Sequence, residues 1–134
     1  MSSLNAFLHP EQVGNQEVIV SERFKENGKP VPFVIRPITQ TENEVLIRQN
    51  TKKSKKNEQG EFDRVAYQHA LVAAAVVEPD LENAELQKAY GVLGAPKLLT
   101  KMLYIGEFAI LMQAVQELSG LDTDINGDIE EAKN

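Results

Sequence analysis

At 134 residues, 42 % hydrophobic and 25 % charged, the chain is too short for two comfortable domains, and folding at this length hides roughly 68 % of the surface exposed when unfolded. The absence of Cys excludes thiol nucleophiles, thiolate metal sites and disulfides, and His9 and His69 stand too far apart in sequence to form a paired-His metal motif. A net charge of −6 disfavours nonspecific attachment to nucleic acid or to an anionic membrane, since both need a cationic face.

In chain order, the first element is a short apolar cluster, Leu4, Ala6, Phe7 and Leu8, cut off by Pro10. With three large apolar side chains in five residues, it reads as a small amphipathic arm. No cationic and apolar leader precedes it, and no apolar run approaches the roughly 20 residues of a membrane span, so the expected location is the cytoplasm. Residues 17–20 and 31–36 then read as β-rich runs separated by Asn27-Gly28. This dipeptide adopts the two positive φ angles of a type I′ turn at little cost, so the pair predicts a β-hairpin. Pro30 and Pro32 donate no ladder hydrogen bonds, which predicts that the second strand lies at an edge or has a shortened paired part.

Pro37 stops the strand, and Thr39-Gln40-Thr41-Glu42 has the form of a capping box, predicting a helix over about 40–50. The stretch 51–60 contains no apolar side chain, has nothing to bury, and is expected to be a mobile loop. From Phe62 to Val77 apolar residues recur at i, i+3 and i+4 around an Ala-rich stripe, which predicts a central core helix. Pro79 ends it. Asn83 caps a short helix through Ala89 that closes at Gly91. Pro96 opens another running to Leu103. The last helix, about 106–119, presents Phe108, Leu111, Met112, Val115 and Leu118 on one face, with Ile105 just before it on the same face. The expected architecture is α+β: a mostly helical single domain, 1–120, with an N-terminal β-hairpin followed by four to five helices, and an acidic flexible tail over 121–134.

No constellation of catalytic residues emerges from the spacing. Asp122, Asp124, Asn126, Gly127 and Asp128 imitate the start of an EF-hand loop, but Lys133 occupies the position that should supply a bidentate Glu, so no metal site is expected. The Gly91-to-Lys97 segment lacks the ending and the preceding strand of a phosphate loop, so its glycines read as a helix linker. His69 on an apolar helix face reads as a structural histidine, and His9 as exposed. The pair Glu78 and Asp80 has no second acid/base partner at a readable spacing. Residues 48–56 carry Arg48, Lys52, Lys53, Lys55 and Lys56 with no acid, whereas 122–131 carry five acids with no base. Without aromatic or Arg-rich stacking residues the basic stretch reads as a solvated loop, with docking to an acidic partner as its functional alternative. No catalytic residue and no cofactor is therefore expected.

Several strings in order carry a family resemblance: Leu4-Asn5-Ala6-Phe7-Leu8, Lys29-Pro30-Val31-Pro32-Phe33, Ile35-Arg36-Pro37-Ile38-Thr39, Val77-Glu78-Pro79-Asp80-Leu81, and Tyr90-Gly91-Val92 followed by Gly94-Ala95. Over about Leu4 to Leu118 the chain resembles the XkdN-like tail assembly chaperones of contractile-tailed phages and PBSX-like defective prophages. The resemblance implies a non-catalytic protein that coats the long apolar tape measure protein until tail tube subunits displace it, and that is absent from the mature particle. It also implies contact with the tail tube protein where a longer frameshifted form is made. The alternative is a structural tail component, such as a tail completion or minor tail protein, retained in the particle. The resemblance supplies no residue-level binding motif. The candidate partner-binding residues therefore come from the last-helix stripe, Phe108, Leu111, Met112, Val115 and Leu118, and the candidate homo-oligomer contacts from Leu4, Phe7 and Leu8.

Overall fold

The computed structural model describes residues 3–121. Its elements in order are α1 (Leu4–Leu8), β1 (Gln16–Val18), β2 (Lys25–Glu26), β3 (Lys29–Pro30), β4 (Phe33–Ile35), α2 (Gln40–Gln49), β5 (Thr51–Ser54), β6 (Asn57–Phe62), α3 (Arg64–Ala75), β7 (Val76–Glu78), α4 (Ala84–Ala89), α5 (Ala95–Met102) and α6 (Ile105–Leu118). The class is α+β. Among the described residues five helices follow the N-terminal hairpin, within the four to five expected, and a sixth, α1, precedes it.

The N-terminal hairpin forms around the expected turn. Asn27 and Gly28 have φ of 54° and 77°, and β2 pairs antiparallel with β3 through Lys25↔Pro30 and Glu26↔Lys29. Lower down, β1 pairs with β4 from Gln16↔Ile35 to Val18↔Phe33. Of the two alternatives expected for the second strand, the shortened paired part holds, since only Phe33–Ile35 of the run 31–36 forms β4, while the edge position does not: the sheet order is β1-β4-β7, so β4 is central. Pro30 and Pro32 are tolerated because both precede the three-residue span in which β4 pairs on its two sides. Alternation along β4 turns Phe33 and Ile35 into the core, at 2 % and 0 % exposure.

Strand β7 is the second departure. The apolar run through Val77 reads as one helix, yet α3 ends at Ala75 and Val76–Glu78 is extended. Two adjacent β-branched valines favour a strand, and Pro79 biases the residue before it toward extended backbone. The central strand β4 offers hydrogen-bond partners at Val34↔Glu78 and Ile35↔Val76. The third departure is at 51–60, where the expected loop is instead the antiparallel hairpin β5–β6. A hairpin needs no apolar side chains to satisfy its backbone. Here Asn57 N–H donates to Ser54 Oγ, and Gly60 N–H donates to Asn57 Oδ1. Gly60 has φ 91°, and a Cβ there would meet the Thr51 methyl at 2.6 Å, so the close strand approach requires glycine.

The other helices start where their caps stand. The Thr39 hydroxyl accepts from Glu42 N–H at 3.2 Å while Glu42 accepts from Thr39 N–H at 3.1 Å, the reciprocal capping box. Asp63 caps α3 and Asn83 caps α4, and Pro96 sits in the first turn of α5. Helix α3 packs against α2, α5 and α6. The fully buried side chains Ile35, Val72, Leu98, Leu99, Leu111 and Val115 come from β4, α3, α5 and α6, so the core lies between the sheet and the helical layer. Ser119 Oγ accepts from Ile38 N–H at 2.9 Å and ties the end of α6 to the segment that connects β4 to α2.

Candidate partner-binding surface

Helix α6 carries the candidate residues, and its register decides which of them a partner could reach. At 100° per residue, Glu107, Leu111, Ala114, Val115 and Leu118 form the side that faces the core. Leu111 and Val115 are 0 % and 1 % exposed, so these two predicted partner-binding residues are core residues, inaccessible to a partner in this conformation. Phe108, Met112 and Leu118 are half-buried and pack on the rim of the core. Phe108 receives the ring of His69 edge-on, with centroids 5.5 Å apart, which gives His69 the packing role expected from its helix face.

The apolar strip that solvent reaches lies one flank over. Ile105, Phe108, Ala109 and Met112 follow the i, i+3, i+4, i+7 rule along that flank. Ile105 is 92 % exposed and stands beside Tyr104 at 68 %. The sequence lists Ile105 among the face residues, but the pattern alone cannot say which side of a largely apolar helix is turned inward. The spacing 105-108-112 was the available signal.

Arg23, just before β2, fixes the start of this helix. Its guanidinium donates from Nε to Glu107 Oε2 at 2.8 Å, from Nη2 to Glu107 Oε1 at 2.6 Å, and from Nη2 to the Met102 carbonyl at 3.0 Å. It also stacks over the Tyr104 ring at 4.2 Å. Glu107 accepts in addition from Tyr104 N–H at 2.8 Å. The hydrogen bonds from Arg23, then those from Ser21 and the Tyr104 backbone, hold the Glu107 carboxyl at a pKa of about 2 instead of 4.5. One residue of the hairpin thereby locks the α5–α6 corner and sets the angle at which Tyr104 and Ile105 are presented.

The predicted self-association residues lie on α1. Leu4, Phe7 and Leu8 are 59 %, 79 % and 61 % exposed, and no residue of α1 is buried. A separate apolar cavity of about 260 Å³ lies near the hairpin tip, lined by Phe24, Val31, Phe33, Leu86, Tyr90 and Met102 among others.

The remaining sequence candidates fall into structural places. Gly91 and Gly94 have φ of 68° and 100°, and the Gln87 side chain accepts from Gly94 N–H and donates to the Leu81 carbonyl, so the 91–97 segment is a clamped helix linker. Asp80 caps a turn by accepting from Glu82 N–H, and Glu78 pairs at the sheet edge. His9 is exposed and closes α1 by donating its backbone N–H to Asn5. Among the described residues no group of three or more His, Asp or Glu side chains could hold a metal, and no helix is long and apolar enough to cross a membrane. The EF-hand-like string and the acidic tail beyond Leu121 lie outside the described residues.

Comparison with known proteins accords with this fold. Residues 4–133 match the model of the Phage XkdN-like tail assembly chaperone protein family. The phage-like element PBSX protein XkdN of Bacillus subtilis is 27 % identical over 125 residues, covering 88 % of this chain and 83 % of that protein. The uncharacterized protein YqbN of the same organism is 30 % identical over the same shares of the two chains. A crystal structure of YqbN superposes with a TM-score of 0.74 at 24 % identity, spanning 91 % of this chain and 99 % of that one, and shows the same fold. On these grounds the chain belongs to the XkdN-like family of phage tail assembly chaperones.

Proposed function

We propose that this protein is a non-catalytic chaperone that binds and coats the tape measure protein in the host cytoplasm during tail morphogenesis and is left out of the finished particle. Family membership over residues 4–133 carries the reading. The apolar flank of α6 supports it, because exposed Ile105 and half-buried Phe108 and Met112 follow one another along it, and Met adapts to varied partners. Each contact is weak. Many copies along one long client bind through avidity and can be displaced one at a time by arriving tail tube subunits. A longer frameshifted form would carry the part that meets the tube protein. The α1 side chains Leu4, Phe7 and Leu8 are the proposed contacts between neighbouring copies.

Paired substitutions test both surfaces. Ile105→Asp with Met112→Asp is expected to lower recovery of the tape measure protein in co-purification by roughly tenfold, while the circular dichroism spectrum stays native. Unchanged recovery contradicts the flank assignment. Phe7→Asp with Leu8→Asp is expected to reduce the mass of the assembled protein in light scattering; an unchanged mass removes α1 from the interface. Mass spectrometry of purified particles separates a chaperone, which is absent, from a structural tail component, which is retained.

A further inference from the structure

Helix α1 stands off the body of the molecule. Residues 3–17 are all exposed, and the helix itself carries no charged side chain, with Leu4, Phe7 and Leu8 at i, i+3 and i+4 on one side. The cavity of about 260 Å³ beside β2 and β3 matches it in chemistry, because none of the eight side chains that line it is charged. Phe24 and Phe33 meet edge-on there with ring centroids 5.7 Å apart, and Tyr90 and Met102 add a third ring and a sulfur to the lining. A charged occupant would lose its hydration without gaining a counter-ion from these walls. A dry cavity of ~150 Å³ takes a benzene ring, so this one has room for a phenyl group and part of a second apolar side chain.

We propose that this cavity receives α1 of a second copy of the chain, with Phe7 and Leu8 as the inserted side chains. The inference rests on the reading of α1 as a contact between copies and names the site that it meets. Strand β1 runs from Gln16 opposite Ile35 to Val18 opposite Phe33, whereas the cavity is lined by Phe33 and by Val31 and Pro32 before it. The arm therefore joins the sheet at the end away from its own cavity. Residues 9–15 reach at most ~25 Å when extended, enough to carry α1 across to a neighbouring molecule. Ring–ring and sulfur–ring contacts favour Phe7 as the deeper of the two inserted side chains. Since Leu4, Phe7 and Leu8 are largely exposed, one docked arm and the walls it meets cover roughly 600 Å² in total, which is the size of a transient contact. Two copies that exchange arms double this to ~1,200 Å², the lower bound for a stable interface.

The chain has no Cys, so single cysteines report on the joint without background. Full-length Ala6→Cys, beside the inserted side chains, and full-length Lys25→Cys, next to Phe24, are mixed in equal parts and treated with a short bismaleimide. Any product joining positions 6 and 25 is then intermolecular, and it is expected to exceed the product joining two positions 6 by roughly tenfold. A majority of links between two arms overturns the proposal, as does the absence of links between positions 6 and 25. With both substitutions on one chain the expected product is a linked dimer; an internally bridged monomer puts the arm in its own cavity and overturns the proposal. A second measurement separates the cavity from the arm. Val31→Asp, at a lining position that is 41 % exposed, places a charge at the mouth and is expected to lower the light-scattering mass as far as Phe7→Asp with Leu8→Asp does, with a native circular dichroism spectrum. A lowered mass for the arm variant beside an unchanged mass for Val31→Asp overturns the cavity assignment while α1 stands as the contact, and unchanged masses for both remove the two together.

Discussion

Leu111→Ala is expected to destabilise the protein by about 2–5 kcal/mol in urea unfolding, the cost of removing a large side chain from a site that collapses only partly. Leu111 is fully buried with Leu98, Leu99 and Val115. Ile105→Ala, six residues earlier on the same helix and 92 % exposed, is expected to change stability by less than about 0.5 kcal/mol. The contrast establishes which side of α6 holds the fold together and which is free to meet a partner. Near-equal effects would mean that the helix is rotated from the register described.

The second large effect concerns acid stability. Glu107 has a folded pKa of about 2 against an ordinary value of 4.5, so its ion pair with Arg23 contributes stability above pH 4.5 and loses that contribution as pH falls toward 2. Glu42, held down by Arg36 and the Thr39 backbone to about the same value, contributes over the same window. Glu107→Gln is therefore expected to lower the urea midpoint at neutral pH, and its difference from wild type is expected to close between pH 4.5 and pH 2. A difference that persists unchanged at pH 2 would show that Glu107 acts through its shape and not through its charge. Because Arg23 also bonds to the Met102 carbonyl and stacks on Tyr104, the variant should loosen the corner that presents Ile105.

Local signals in the sequence suffice where one residue's chemistry dominates. Asn27-Gly28 forced the turn, Thr39 with Glu42 started α2, and Asn83 started α4, because each satisfies its own neighbourhood without help from distant parts of the chain. The errors arose where tertiary partners decide. Val76 and Val77 extend an apolar helical stripe perfectly well, and only the open side of β4 draws them into a strand. Residues 51–60 bury nothing, so hydropathy carries no trace of a hairpin held by backbone hydrogen bonds and the Ser54, Asn57 and Gly60 contacts. Phe108, Leu111, Met112, Val115 and Leu118 read as one face, but in the structure they divide between the core side and the neighbouring flank of α6. Its inward rotation depends on α3 and β4, and that rotation makes Leu111 and Val115 core while leaving Ile105 and Met112 on the accessible flank. The Arg23–Glu107 clamp joins residues 84 positions apart, and no local pattern announces it.

The most direct test of the central claim is co-expression of this chain with fragments of the tape measure protein from the same phage element, followed by size-exclusion chromatography with light scattering. The chaperone reading predicts a soluble complex with several copies of this protein per fragment, the number rising with fragment length. Free chaperone eluting beside aggregated fragments would contradict it.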